Sequence, residues 1–518
     1  MYLLIRKALI LLLSCLILYA CAVNPVTGKK ELALVSEPQE INIGKENYGP
    51  SRQMQGGDYT VNPELSTYVQ EVGQKLAAVS DRPLPYEFTV LNNSTPNAWA
   101  LPGGKIAVNR GLLLELNNEA ELAAVLGHEI VHAAARHGAQ KMERGMLLQG
   151  ALLATSIVVQ GNEYGNLVVG GAQLAAGLIH TKYGRDDELE ADYYGMQYMS
   201  RAGYDPMAAV ALQETFVRLS ENQAHNWLTG LFATHPPSVE RVNANRETAA
   251  SLPQGGTLGR SRYEKHLAAL KNDQKGYDSY AKGRKALEKG NNEQALSYAR
   301  DAIRIEPREG LFYGLSGDAH YLANRYEEAL ADYDRAVSLN PDYFYFYLQR
   351  GLTKKKLNRN REAYTDLQAS ARLLPTAVAY NGLGELELAT GSLQKARQYF
   401  SEAASSDSPA GRQARISLLR LDFPDYAKQY IQVQIGLDHE GYVLAKVINQ
   451  TPLAVRNLQL VIEYPDTSGK THQTTRVLSA VIPAGQNYMT NLNVGPYANA
   501  AVLNSIRIQV VNGELIEQ

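Results

Sequence analysis

The chain of 518 residues contains only two cysteines, and both lie near its beginning. They are Cys15 and Cys21, and no cysteine follows them. The body of the chain therefore has no thiol for a disulfide bond and none for a metal–thiolate site.

An excess of charge of one sign is also missing. The chain carries 51 basic and 53 acidic residues, which gives a net charge of −2. A balance of this kind argues against a nucleic-acid partner held by bulk electrostatic attraction.

Long apolar runs are equally scarce. Residues 146–160 and 167–179 are apolar and rich in Gly and Ala, but each is too short to span a bilayer. Two interpretations stay open for them, a helical pair in the core or a mobile lid or membrane-facing patch.

The N-terminus has the pattern of a targeting segment. Arg6 and Lys7 precede an apolar run over 8–18, which indicates a signal peptide rather than a membrane span. The following Leu18-Tyr19-Ala20-Cys21 resembles a bacterial lipobox, although Tyr19 is bulkier than the usual residue. The resemblance implies removal of residues 1–20 and lipidation of Cys21. Since residue 22 is not Asp, it also implies the outer membrane; an uncleaved anchor is the alternative.

The most informative stretch is His128-Glu129-Ile130-Val131-His132, inside an Ala-rich segment that predicts a helix over 118–140. Residues four apart share a helix face, so both imidazoles can reach one metal ion. Glu129 then lies beside the metal and is placed to take a proton from a water molecule. This is the HExxH signature of zinc peptidases, and the alternative is a helix with two exposed histidines.

Catalytic zinc needs three protein ligands and an open position. Candidate carboxylates occur 60 residues after His128, at Glu188, Glu190 and Asp192. Alone, they would indicate an acidic, solvated helix face. Glu190 is the rival of Glu188 as a ligand, but two residues of separation put them on different helix faces.

Together, HExxH and the Glu188–Asp192 pattern, ExxAD, resemble zinc peptidases of the HtpX and CAAX-prenyl-protease family in its BepA-like periplasmic form. The resemblance implies one Zn²⁺ per chain, held by His128, His132 and Glu188. It makes Asp192 the partner of a zinc histidine. It also implies a gluzincin-type domain, mostly helical with a small sheet, in which Glu129 is the general base.

Two further segments match the same family. Pro102-Gly103-Gly104 is a turn within 97–109, and the resemblance implies a hairpin that binds extended substrate through Asn97, Ile106 and Val108. An ordinary hairpin is the alternative. The resemblance also implies that His235 faces the zinc and that Arg241 follows it in the site. Either residue would then stabilise the oxyanion that forms when water attacks the peptide carbonyl. His137, His180 and His225 are interpreted as structural or surface residues.

The rest of the chain predicts a multidomain, mainly α protein. Residues 21–60 are tether and lead-in, and 61–252 are the zinc metallopeptidase domain, followed by a Gly-rich linker at 255–259. Small residues and prolines then recur at intervals of 33 or 34, the tetratricopeptide period, over 276–410. The recurring positions are Gly283, Gly317, Gly351 and Gly384; Ala295, Ala329, Ala363 and Ala396; and Pro307, Pro341, Pro375 and Pro409.

The last segment, 430–518, changes character. Val-, Ile-, Thr- and Tyr-rich stretches separated by turns predict a small β-sandwich of immunoglobulin-like type. The predicted strands are 430–437, 442–449, 458–464, 474–482 and 505–511.

These features predict a lipid-anchored zinc endopeptidase of the bacterial cell envelope, facing the periplasm. It would hydrolyse misfolded or misassembled envelope proteins that the repeats help to bind. One alternative is a chaperone or assembly factor for outer-membrane proteins with secondary proteolysis. The other is a scaffold that works through its repeats and sandwich.

Overall fold

The computed structural model describes residues 21–149, 168–179, 182–221, 229–466 and 468–516. The predicted signal peptide, residues 150–160 and 167 of the two apolar segments, and His180 and His225 lie outside the described residues. The chain divides into two compact units, Met1–Ala379 and Tyr380–Gln518. Helices dominate the described residues, which confirms the predicted mainly α class.

The lead-in to the peptidase region is folded. Strand β1, Cys21–Val23, pairs antiparallel with β2, Lys30–Leu32, to form the N-terminal hairpin. The helix Glu37–Met54 follows and buries Glu40 completely. The Glu40 carboxylate accepts hydrogen bonds from Arg82 and Arg136, so this helix is tied to the elements that follow it.

A small sheet lies in the peptidase region, with strand order β3-β5-β4. Strand β3, Glu87–Leu91, runs parallel to β5, Lys105–Asn109, and β4, Ala98–Leu101, runs antiparallel to β5. Gly103 and Gly104 form the predicted turn between β4 and β5 with φ of 78° and 83°, which favours glycine. The helices of this region are Glu37–Met54, Pro63–Ala77, Arg110–Leu113, Glu119–Ala134, His137–Gln149, Ala172–Ile179, Arg185–Arg201, Met207–Glu221, Thr229–Thr234 and Val239–Ser251.

Two of these helices cross unusually closely. We call Glu119–Ala134 the motif helix and Arg185–Arg201 the acidic helix. A Cβ added to Gly195 would lie 3.0 Å from the backbone nitrogen of His128, and one added to Gly127 would lie 3.1 Å from the carbonyl oxygen of Gly195. Contacts this short favour glycine at both positions, and the close crossing brings the acidic side chains to the histidines.

The single helix predicted over 118–140 is wrong at its C-terminal end. The motif helix stops at Ala134, and a new helix begins at His137. Between them Arg136 adopts the left-handed region with φ of 65°. Its guanidinium pairs with the carboxylates of Glu40 and Glu143, and these buried contacts hold the residue where the two helices meet.

The repeats form antiparallel helix pairs with the predicted period. The four glycines lie on the first helix of each pair and the four alanines on the second, where the alanines are fully buried. A Cβ at Gly317 would approach the Tyr333 ring to 2.7 Å, so the small residue allows the two helices of this pair to pack closely. The helices are Arg260–Glu288, Asn292–Ile305, Gly310–Leu322, Tyr326–Leu339, Phe344–Lys356, Asn360–Leu373, Ala377–Ala389 and Leu393–Ala404.

Within the first unit, polar groups join the peptidase region to the repeats. The Glu309 carboxylate accepts hydrogen bonds from the Asn92 amide at 2.9 Å and from the Tyr277 hydroxyl at 2.6 Å. The Arg110 guanidinium lies 3.3 Å from the centre of the Tyr277 ring. Helix Arg260–Glu288 connects the two regions without a break.

The end of the second unit contains two antiparallel three-stranded sheets, after the helix Pro409–Tyr426. One has the order β10-β7-β6 and the other β11-β8-β9, and they share a hydrophobic core that includes Val447 and Leu460. All five predicted strands are present, but a sixth strand, Asn487–Asn491, was missed because it is short and mostly exposed. The strands are β6 Ile431–Leu437, β7 Val443–Asn449, β8 Ala454–Pro465, β9 Thr471–Leu478, β10 Asn487–Asn491 and β11 Arg507–Ile516.

Candidate active site

Four side chains converge where the motif helix meets the acidic helix. His128, His132, Glu188 and His235 each offer one donor atom, and these atoms lie within 4.8 Å of one another. The two motif histidines lie one helical turn apart on the same face. Glu188 comes from the first turn of the acidic helix, and His235 directly follows the helix Thr229–Thr234.

The distances among the first three donors suit a metal ion. Nε2 of His128 lies 2.9 Å from Nε2 of His132, and each of these nitrogens lies 3.5 Å from an oxygen of Glu188. Tetrahedral ligands at the usual zinc distances lie about 3.3 Å apart. Two imidazoles and a carboxylate in this triangle therefore fit zinc.

His235 adds a fourth donor to the group. Its Nδ1 lies 3.0 Å from Oε1 of Glu188 and 3.2 Å from Nε2 of His128. The residue is buried, so its imidazole is held beside the triangle. The structure thus brings His235 to the site, and its catalytic role stays a prediction.

Glu129 is buried beside the same group. One carboxylate oxygen lies 3.5 Å from Nε2 of His235, and the other has no hydrogen-bond partner among the described residues. A buried acceptor without a partner is costly unless water or a ligand meets it. Burial, with the nearby charge of Glu188, raises the pKa of the Glu129 carboxyl above its usual range. Both features suit a group that accepts a proton.

The pKa values of two donors, His132 and Glu188, are shifted in the direction that suits metal binding. Burial lowers the pKa of His132 well below its usual value, which keeps this imidazole neutral. Burial opposes ionisation of Glu188, but His235 and His128 outweigh it and hold the pKa of this carboxyl well below its usual range. Neutral imidazole and ionised carboxylate are the forms that bind metal.

Asp192 supports His128 from the far side of the ring. Its Oδ1 lies 2.9 Å from Nδ1 of His128, and the guanidinium of Arg241 donates to both oxygens of Asp192 at 2.7 and 2.8 Å. Arg241 also pairs with Glu188 at 2.7 Å. The guanidinium is therefore occupied by two carboxylates, and its predicted role at an oxyanion remains a prediction.

We expect Asp192→Asn to weaken zinc binding by about 10- to 100-fold, because the change removes the charge that orients His128 and pairs with Arg241. Competition with a chelator of known affinity measures this loss. Asp186→Asn, an exposed change in the same helix, is the matched control and should bind zinc as the wild type does. Equal affinity in the two variants would contradict the supporting role of Asp192.

The predicted substrate-binding residues lie on the small sheet. Ile106 and Val108 are fully buried on β5, which pairs on both sides with β3 and β4. Among the described residues β4 pairs only with β5, whereas the other side of β3 is bonded to residues 57–59, so the open edge of this sheet belongs to β4. Asn97 is buried next to β4, and substrate contact by these three residues stays a prediction.

Sequence reasoning missed two residues at the site. The Tyr183 ring stacks on the imidazole of His132 with 3.7 Å between centroids, and His137, interpreted as structural or a surface residue, is buried with Nδ1 2.8 Å from Nδ1 of His132. Neither residue shares a helix face with the motif, so periodicity gave no signal.

An apolar cleft also opens beside Glu129, lined by Val125, Met196, Met199, Leu212, Phe216 and Leu231.

Comparison with known proteins identifies the domains. Residues 63–249 match the model described as peptidase family M48, and residues 317–358 and 348–411 match models of the tetratricopeptide repeat. These matches confirm the resemblance drawn from the two motifs and from the period of the repeats.

Three relatives illustrate the extent of the similarity. A Vibrio cholerae protein named putative beta-barrel assembly-enhancing protease is 29% identical over 210 residues, which cover 39% of this chain and 43% of the relative. Mitochondrial metalloendopeptidase OMA1 of Schizosaccharomyces pombe is 37% identical over 227 residues, covering 43% and 65%. The beta-barrel assembly-enhancing protease of Escherichia coli is 25% identical over 436 residues, covering 76% and 86%. The chain therefore spans less than two thirds of the first two relatives and most of the third.

Proposed function

We propose, for a chain that carries a peptidase family M48 domain joined to tetratricopeptide repeats, that it is a zinc-dependent endopeptidase. The observation that carries the proposal is the triangle of His128, His132 and Glu188 with the buried carboxyl of Glu129 beside it. Two imidazoles, one carboxylate and a neighbouring proton acceptor form the donor set of a zinc peptidase.

Zinc, when bound, would acidify a water molecule and polarise the peptide carbonyl. Glu129 takes the proton of the attacking water at its unpartnered oxygen and then delivers that proton to the leaving amine. The raised pKa of Glu129 lets the carboxyl both accept and release a proton. The apolar cleft beside Glu129 receives an apolar side chain of the substrate.

The proposed substrates are misfolded or misassembled envelope proteins. Two observations support this class: the repeats, which in general bind extended peptides and partner proteins, and the relatives that are named beta-barrel assembly-enhancing protease. Those names also favour a second candidate function, assistance to the assembly of outer-membrane proteins with proteolysis as a secondary activity.

The direct test measures zinc content and cleavage of casein by the purified protein. We expect one zinc per chain and cleavage that a chelator abolishes and added zinc restores. Stoichiometric zinc with no cleavage of casein or of unfolded outer-membrane proteins would favour the assembly function. A protein that binds no zinc would contradict both the enzyme and its mechanism.

We also propose that Cys21 is lipidated and anchors the protein to a membrane, on the side that faces the periplasm. Because residue 22 is not Asp, we propose that this membrane is the outer membrane. In the described part of the chain no helix is both long enough and apolar enough to cross a membrane. Because Cys21→Ser removes the proposed site of lipidation, we expect it to move the protein from the membrane pellet to the soluble periplasmic fraction. Ala22→Ser keeps the cysteine and should stay in the pellet; a Cys21→Ser protein that also stays there after a high-salt wash would contradict the anchor.

A further inference from the structure

The two motif histidines differ in the group that contacts the Nδ1 atom of each ring. Nε2 of each ring points into the triangle, so Nδ1 of each ring points away from it. Nδ1 of His128 meets Asp192, whereas Nδ1 of His132 meets Nδ1 of a second imidazole, His137, at 2.8 Å. The inference that follows rests on the proposed function, because it concerns how His132 is held for zinc.

His137 is connected further to the acidic helix. Its Nε2 lies 3.3 Å from Oε1 of Glu190, and Oε2 of Glu190 accepts a hydrogen bond from Lys29 at 3.0 Å. Glu188 and Glu190 are two residues apart, so the acidic helix turns one carboxylate into the triangle and the other to its outside. Glu190, the rival ligand in the sequence, thus lies behind His132 rather than in front of it.

These contacts specify one arrangement of hydrogens. An imidazole that binds metal through Nε2 keeps its hydrogen on Nδ1, so His132 donates to Nδ1 of His137. His137 must then carry its own hydrogen on Nε2 and donate to the carboxylate of Glu190. In this series of hydrogen bonds, His132, His137 and Glu190 each have the partner that their roles require.

The N-terminal hairpin holds His137 in position. The side-chain amide of Asn24 donates to the carbonyl oxygen of Ala135 at 2.8 Å and to Glu31 at 2.8 Å. Glu31 also accepts a hydrogen bond from Gln140 at 2.7 Å. The hairpin therefore braces the bend between the motif helix and the helix that begins at His137, and it supplies Lys29 to Glu190.

We propose that His137 is a positioning residue for the zinc ligand His132, and that Glu190 and the N-terminal hairpin keep its acceptor nitrogen turned towards that ligand. The hairpin is therefore part of the working metal site and not only a lead-in to the domain. The acidic helix would then orient both motif histidines, His128 through Asp192 and His132 through Glu190 and His137.

The test compares His137→Leu with His137→Asn in the full-length protein. Leu removes the acceptor, whereas the side-chain oxygen of Asn can occupy the position of Nδ1 and accept from His132. We expect His137→Leu to weaken zinc binding by about 10- to 100-fold and to change the visible spectrum of the Co²⁺-substituted protein. His137→Asn should stay within a few-fold of the wild type in both measurements.

His320→Leu is the matched control, because His320 also pairs with a carboxylate, Asp332, but lies in the repeats. It should leave zinc affinity and the cobalt spectrum unchanged. Wild-type affinity in His137→Leu would overturn the proposal, and so would an equal loss in His137→Asn, since that result indicates a purely structural role.

If His137→Leu does not fold, Glu190→Ala decides the question. We expect a several-fold loss of zinc affinity at an unchanged melting temperature of the metal-free protein, and an unchanged affinity would overturn the proposal. The wild-type protein tests the proposed function separately, because failure of that function appears as absent zinc-dependent cleavage before any variant is made.

Discussion

Glu129→Gln should bind one zinc per chain and cleave almost nothing. Glu129 is not part of the triangle of donors, and Gln has nearly the same volume, so the metal site keeps its shape. The amide cannot accept the proton of the attacking water. Loss of a general base typically costs about 10²- to 10⁴-fold in rate. Initial rates on casein at equal zinc loading measure the effect.

Glu247→Gln is the matched control, because it makes the same chemical change on an exposed helix position. Its turnover should equal that of the wild type. If Glu129→Gln, fully loaded with zinc, keeps the wild-type rate, then another group takes the proton and the mechanism proposed here is wrong. Loss of zinc together with activity would instead make Glu129 part of the metal site.

Glu188→Ala should lose most of its zinc and with it all measurable cleavage. The change removes one of three ligands and also the carboxylate that pairs with Arg241, which leaves a buried guanidinium close to the two histidines. A positive charge in that position opposes the binding of a cation. We expect zinc affinity to fall by more than about 100-fold, beyond the loss caused by changing a supporting residue.

Glu190→Ala gives the comparison that separates the two candidate ligands. It removes a carboxylate from the same helix but not from the triangle, so its loss of zinc should be several-fold only. Glu247→Ala should show no loss. Full zinc content in Glu188→Ala with a large loss in Glu190→Ala would reverse the assignment of the third ligand.

The grouping of the motif side chains was predictable because it depends on local spacing. Four residues of separation place His128 and His132 on one face, and two residues of separation place Glu188 and Glu190 on different faces. Helix geometry supplies both facts. The repeats were also predictable from spacing along the sequence. Gly317 and Gly351 are 34 residues apart, and the alanines that follow them have the same separation.

The rest depends on contacts between residues far apart in the chain. Nothing near Arg136 in the sequence signals that the helix must end there, because Glu40, which pairs with its guanidinium, lies 96 residues away. The support behind His132 was missed for the same reason, as Glu190 lies 53 residues from His137. Strand β10 was missed because its five residues are mostly exposed and do not alternate between apolar and polar.

The polar junction between the peptidase region and the repeats decides where the chain can be cut. Arg110 is 1% exposed, and the ring that covers its guanidinium belongs to Tyr277. A fragment that stops at the Gly-rich linker would lack Tyr277 and Glu309. It would expose the Arg110 guanidinium to solvent and leave the Asn92 amide without the carboxylate to which it donates. Expression fragments of the catalytic region should therefore extend into the repeats beyond Glu309, and limited proteolysis should release no stable piece that ends at the linker.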